Sequence, residues 1–193
     1  MPLRGCAAVS PAPFPFSSIL MGLPVSGAFE TGWDSMSKRI IGLSASTDNV
    51  IYVDVEVPDD DDEPLVILED GNWKLQKGDR SNAYQVLHQQ CVDYIREASI
   101  EEAVVKASAV MGRMSLKLGM LQTAEVRGIV IAAAASECSV TQLTKGLVSR
   151  TYGERNVDDY IEDDDFWAEH TTGKKLRKMS REVAMLLVAA RNR

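Results

Sequence analysis

The clearest pattern along the chain is an alternation. From Val50 to Val57, Ile51, Val53, Val55 and Val57 alternate with Tyr52, Asp54 and Glu56. This period of two gives a strand one buried and one wetter face, with Asp54 on the wetter one. Just before it, Arg39 to Ser44 (RIIGLS) predicts a more apolar strand, and Asp48-Asn49 supplies turn chemistry between the two. Asp59 to Glu63 (DDDDE), bracketed by Pro58 and Pro64, predicts an acidic loop, and Leu65 to Leu68 a third strand. The three strands form an antiparallel meander.

The period then changes. Tyr84, Leu87, Cys91, Tyr94 or Ile95, and Ala98 recur at three- and four-residue spacing, predicting a helix capped by Ser81 or Asn82. Glu101 to Ser108 predicts a short buried strand, so the helix before it serves as a parallel crossover. Met114 to Ser136, capped by Ser115, is apolar over most of its surface and predicts a central, buried helix, with Gly119 and Gly128 as points of close approach. Next come a strand at Ser139 to Leu143 and a short basic helical piece, TKGLVSRTYG. Asp158 to Asp165 holds six acids among eight residues and reads as a solvated segment. A closing helix is expected from about Lys174 to Ala190, with Leu176, Met179, Val183, Leu186 or Leu187, and Ala190 on one face.

The first 35 residues differ from this pattern: proline-rich, with little charge and little periodicity. They read as a flexible extension, with the domain expected to span 36–193. A docking arm is a second reading. A secretory signal with Ser17 to Val25 as its apolar part is disfavoured, because only Arg4 precedes that part and Pro24 interrupts it. No segment reaches about 18 uninterrupted apolar residues, so no membrane span is expected.

Composition narrows the function. The 193 residues are 45% hydrophobic and 25% charged, ordinary for one domain, with a net charge of -7 and a pI of about 4.9. That balance argues against a general nucleic-acid coating protein but leaves room for a local basic patch. Cys6, Cys91 and Cys138 have no metal-ligand spacing; Cys91 and Cys138 read as small core residues in a reducing, cytoplasmic setting. His88 and His170 are too few for a usual zinc site.

Four stretches resemble one family. IIGLSASTDNVIYVDVEV resembles the opening hairpin, and SIEEAVVKASAVMG the fourth strand, of the RuvC-type branch of the ribonuclease H-like superfamily, the Holliday junction resolvases and their relatives. LKLGMLQTAEVRGIVIAAAASECSVTQLT is similar to its central helix and fifth strand, and KMSREVAMLLVAA to its closing helix. The resemblance implies an α/β fold: a ribonuclease H-like mixed sheet, three antiparallel meander strands plus two parallel strands, with flanking helices. It also implies carboxylates from the first strand, fourth strand and last helix gathered around two Mg²⁺ or Mn²⁺ ions, which clamp the attacking and leaving oxygens of a phosphodiester.

Carried over residue by residue, that ligand set is degenerate. The first-strand acid falls on Ser44. The fourth-strand acid falls on Ser108, or on Lys106 with a register two residues earlier. The two closing-helix acids fall on Met179 and Glu182. There is no Asp or Glu from Ile40 to Thr47 or from Ala103 to Gln122. No catalytic residue and no metal are therefore expected; Mg²⁺ or Mn²⁺ belongs to the alternative of an active nuclease with displaced ligands, for which Asp48 and Asp54 are the nearest surrogates.

Lys174, Lys175, Arg177, Lys178 and Arg181 form the candidate nucleic-acid-binding patch, which Lys145, Arg150 and Arg155 would extend. A solvated helix end, its charge cancelled by the acidic run upstream, is the competing reading. The acidic runs lack the EF-hand pattern. Phe166 and Trp167 beside the second run either anchor a partner or pin a loop to the core, and Met111, Met114 and Met120 read as core filler. Ser44, Ser108 and His170 make no triad. The expected function is a non-catalytic RuvC-like binding or assembly module, acting on nucleic acid or through self-association; a purely protein-binding subunit is the other alternative.

Overall fold

A computed structural model describes residues 37–108, 117–152 and 155–191. The predicted extension, Cys6, Met111, Met114 and the cap at Ser115 lie outside these residues. The meander is present: β1 (Lys38–Ala45), β2 (Asn49–Val57) and β3 (Leu65–Lys74) pair antiparallel. Then come α1 (Arg80–Glu97), β4 (Glu102–Lys106), α2 (Leu118–Ala135) and β5 (Ser139–Leu143). α3 (Lys145–Tyr152), α4 (Val157–Glu162), α5 (Asp164–His170), β6 (Thr171–Gly173), a 3₁₀ turn at Lys178–Ser180 and α6 (Arg181–Arg191) complete it.

The sheet order is β5-β4-β1-β2-β3-β6, with β4 parallel to β1, β5 to β4 and β6 to β3. Every strand except β2 thus runs the same way, and five strand C-termini open onto one edge. Alternation along the strands sorts the core into two layers. Ile41, Leu43, Ala103 and Val105 face the side covered by α1 and α2. Ile40, Val53, Val55 and Val104 face the side covered by α6 and the short helices α3 to α5. Gly42 lets α6 settle onto β1: a Cβ there would lie 2.7 Å from Val183 Cγ1 and 3.1 Å from Leu187 Cγ.

Several expectations are corrected. β6 adds a sixth strand. β3 continues past Leu68 to Lys74, because Trp73 stacks on Tyr52 of β2 at 4.5 Å between ring centroids. The cap of α1 is Asp79, whose carboxylate accepts from the Ser81 N–H, not Ser81 or Asn82. β4 is trimmed to Glu102–Lys106.

α2 is not buried all round. Val126, Val130, Ala133 and Ala134 pack inward, while Leu118 is 70% exposed and Met120 and Leu121 also face outward. Its length and apolar composition match those of a membrane span. Here the inward side of the helix covers the sheet.

The closing helix begins at Arg181 rather than Lys174. The Lys174 N–H donates to the Ile67 carbonyl, which holds the chain extended beside β3. Asp70 then accepts from the Arg177 N–H, the Arg177 guanidinium and the Ser180 hydroxyl. Leu176 is buried in that extended piece, and Met179, on the 3₁₀ turn, is 60% exposed instead of sharing the inner helix face.

The acidic run 158–165 keeps five of its six acids exposed but is helical rather than a loop. Asn156 and Asp159 form a capping box for α4, and Asp163 caps α5 by accepting from the Phe166 N–H. Phe166 and Trp167 are buried, so the aromatics pin these helices to the core. The Asp59–Glu63 loop is held by Arg191, which donates to the carbonyls of Asp60 and Glu63 and lies 3.5 Å from the Asp61 carboxylate.

Candidate functional site

The parallel register of β1 and β4 pairs Leu43 with Val105; one residue further, Ser44 is level with Lys106. Both continue the side of the sheet that carries Ile40, Gly42 and Val104, the side covered by α6. The close approach at Gly42 brings the first turn of α6, with Glu182, to the same point. There Lys106 Nζ lies 2.7 Å from Glu182 Oε1, each side chain about a third exposed at 30% and 31%. Lys145, Val148, Val157 and Leu186 wall the narrow crevice beside this pair. Lys145 itself pairs with Asp158.

Of the two fourth-strand registers, the one with Lys106 meets Glu182. The Ser108 hydroxyl instead accepts from Arg127 of α2, on the other side of the sheet. Ser44 is half-buried, and the exposed Met179 stands one turn before Glu182. Asp48 is exposed in the β1–β2 turn.

Asp54, placed by pattern on the wetter face, is fully buried. It accepts from Arg39 at 3.1 and 2.6 Å and from the Tyr94 hydroxyl at 2.9 Å. Asp54 holds the Arg39 guanidinium above its ordinary pKa, and burial, with Asp54 alongside, pushes the Tyr94 phenol far up. Such a carboxylate is committed to its partners.

Two divalent ions bring four positive charges and need several anionic oxygens. The point where the strands and α6 converge offers one carboxylate, already held by an ammonium. Among the described residues no group of three His, Cys, Asp or Glu side chains is placed to hold a metal ion. The donor set does not fit the two-ion site.

The basic cluster follows β6 and lines an open groove of about 520 Å³ with Trp167, Thr171 and Thr172. Most of its charge is matched. Lys174 pairs with Glu69, Arg177 with Asp70 at 2.6 Å, Lys178 with Glu162 at 3.3 Å, and Arg181 with Asp164. Lys175 has no carboxylate partner among the described residues. Arg155 pairs with Asp163 at 2.8 Å and lies over the Tyr160 ring. His170 stacks on Phe166, far in the chain from Ser44 and Ser108 and on no common site with them. Cys91 is buried, and burial pushes its thiol up to about 12, as befits an unreactive core residue.

Asp70, which organises the basic segment, was not singled out by the sequence. Its signal was an acid inside a run that continues as a strand, with its side chain 4% exposed.

No family model and no curated protein matches the sequence. Solved structures do match the fold. RuvC of Thermus thermophilus in complex with a Holliday junction substrate superposes with a TM-score of 0.60 at 10% identity, covering 78% of this chain and 91% of that one. A second Thermus thermophilus RuvC structure gives 0.59 at 12%, covering 79% and 95%. The yeast mitochondrial Holliday junction resolvase Ydc2 gives 0.55 at 10%, covering 81% and 78%. With the strand order and the placement of α6 on β1, these likenesses give the chain a RuvC-type ribonuclease H-like fold.

Proposed function

We propose that this protein is a non-catalytic relative of the RuvC-type nucleases that binds nucleic acid without cutting it. The observation that carries the reading is the Lys106–Glu182 ion pair. It stands where β1, β4 and α6 converge, the region from which a two-ion nuclease would present its carboxylates. An ammonium there repels divalent cations and neutralises the one acid that could hold them. Water activation and leaving-oxygen stabilisation both require those cations. Similarity to RuvC bound to a Holliday junction supports nucleic acid as the partner class, and five strand C-termini with their basic segments open onto one edge, where open α/β sheets bind ligands.

The test is incubation of a four-way DNA junction, single-stranded DNA and RNA with the protein and Mn²⁺. The expected result is retarded, intact nucleic acid. Cleavage that disappears in Glu182→Gln would overturn the reading in favour of an active nuclease.

A second reading, an assembly subunit that works through protein contacts, is favoured by the outward-facing Leu118, Met120 and Leu121 of α2. Sedimentation of wild type against Leu118→Glu/Leu121→Glu distinguishes it: a loss of self-association in the variant supports that reading.

A further inference from the structure

Lysines without a carboxylate partner among the described residues are Lys74, Lys77, Lys117 and Lys175. None lies on the acidic edge made by the Asp59–Glu63 loop and the starts of β4 and β5. All four follow strands that end on the opposite edge: Lys74 and Lys77 leave β3, Lys117 follows β4, and Lys175 follows β6. Among the described residues, the lysines without a carboxylate partner are therefore spread along the edge where the five co-directional strands finish; Arg127 on α2 and Arg150 on α3 are arginines without one.

The densest part lies around the β1–β2 turn. An open cleft of about 600 Å³ is walled by Asn49, Lys74, Gln76, Lys77, Gly78 and Arg80, with Asp48 as the one acid in its wall. Asp79, next in the chain, is occupied in capping α1. Arg80 crosses from the cleft to α2: its guanidinium donates to the Thr47 and Gln122 carbonyls and to the Tyr84 hydroxyl, and pairs with Glu125 at 3.4 Å, so among the described residues the cleft's unpaired cations are Lys74 and Lys77. Thr47 and Thr123 hydroxyls meet at 3.4 Å, and Gly119 packs beside Thr47, so the start of α2, with Lys117, adjoins the same turn.

We infer that this cleft and the adjoining α2 start, rather than the basic cluster after β6, are the principal phosphate-contacting surface, and that their ligand is the phosphodiester backbone of a nucleic acid. The inference rests on the proposed nucleic-acid binding and specifies its site. Cations already paired with Glu69, Asp70, Glu162 and Asp164 must break those pairs before they can engage phosphate; Lys74 and Lys77 need not. Partner-free cations strung along an edge suit a polyanion with repeated charges better than a single small anion. Each phosphate that a lysine neutralises also releases counterions, which makes such binding salt-dependent.

The test is fluorescence anisotropy with a labelled four-way DNA junction and a labelled single strand, over a KCl series, using the full chain. Lys74→Glu/Lys77→Glu is expected to weaken binding about tenfold or more and to lower the slope of log K against log salt by about 2. Lys174→Glu/Lys178→Glu is expected to change both much less. An unchanged Tm shows that each variant is folded, since all four side chains are exposed. Wild-type binding that Lys74→Glu/Lys77→Glu leaves intact would overturn this inference alone. A wild type that binds no nucleic acid at low salt would overturn both it and the functional reading. Equally tight binding of poly-glutamate would contradict the nucleic-acid assignment.

Discussion

Lys106 and Glu182, on β4 and the first turn of α6, meet at 2.7 Å beside Ser44. A salt bridge a third exposed contributes little to stability. Lys106→Ala is expected to cost about 1 kcal/mol or less. Urea denaturation checks this, and a much larger loss would mean that the pair is a structural keystone rather than a replaced site.

The approach of α6 to β1 depends on Gly42. Adding side-chain atoms at this position drives them into Val183 and Leu187. Gly42→Val is expected to destabilise the fold by about 1–3 kcal/mol through overpacking. Chemical denaturation gives the magnitude, and an unchanged midpoint would contradict the packing.

Asp70 gathers the segment that leads into α6. With its side chain 4% exposed and bonded to Arg177 and Ser180, Asp70→Ala leaves a guanidinium without its carboxylate. Arg177 is 38% exposed and can turn to water, so a loss of about 1–3 kcal/mol is expected. Asp54→Ala, which strips Arg39 and Tyr94 of their shared partner, is expected to fall in the same range, about 1–3 kcal/mol.

The α4–α5 region carries a pH dependence. Asp163 is held below the usual carboxylate range by the Phe166 N–H and then Arg155, and Asp164 by Arg181. Folded carboxylates with depressed pKa values bind protons less readily than unfolded ones. Their contribution is therefore present above the usual carboxylate range and is lost as pH falls through the depressed values. Fluorescence of the buried Trp167, followed below about pH 4, is expected to report loosening on acidification, and Asp163→Asn/Asp164→Asn to flatten that response.

Much of the fold was legible because it rests on strong local patterns. β5 ends where the alternation and its flanking residues place it, and the β1–β2 hairpin follows from one valine series and one Asp-Asn turn. The errors share a cause. Asp54 followed the polar phase of the alternation, but α1 covers that face and Tyr94 and Arg39 satisfy the buried acid. Lys174 to Met179 fits a helical spacing, yet pairing with Ile67 and capture by Asp70 hold those residues outside the helix. The acidic run is solvated as its composition suggested, with five of its six acids exposed, but Asp159 and Asp163 also cap two short helices. In the site, the sequence offered Ser108 and Lys106 as alternatives; only the β1–β4 register and the lean of α6 over Gly42 select the residue that meets Glu182. Two partners of the basic cluster, Glu162 and Asp164, come from the acidic run upstream that the sequence offered for that role; the other two, Glu69 and Asp70, lie more than 100 residues away in the chain, beyond the reach of any local pattern.

The account stands or falls on whether the place where β1, β4 and α6 converge can take up divalent cations. Isothermal titration of Mn²⁺ into the wild-type protein, beside a Ser44→Asp/Lys106→Glu/Met179→Asp variant, tests this most directly. No saturable Mn²⁺ binding is expected in the wild type, and binding with a rise in Tm in the variant, where carboxylates at 44, 106 and 182 would converge with a further one at 179, one turn before Glu182. Saturable binding by the wild type that is lost in Glu182→Gln would contradict it.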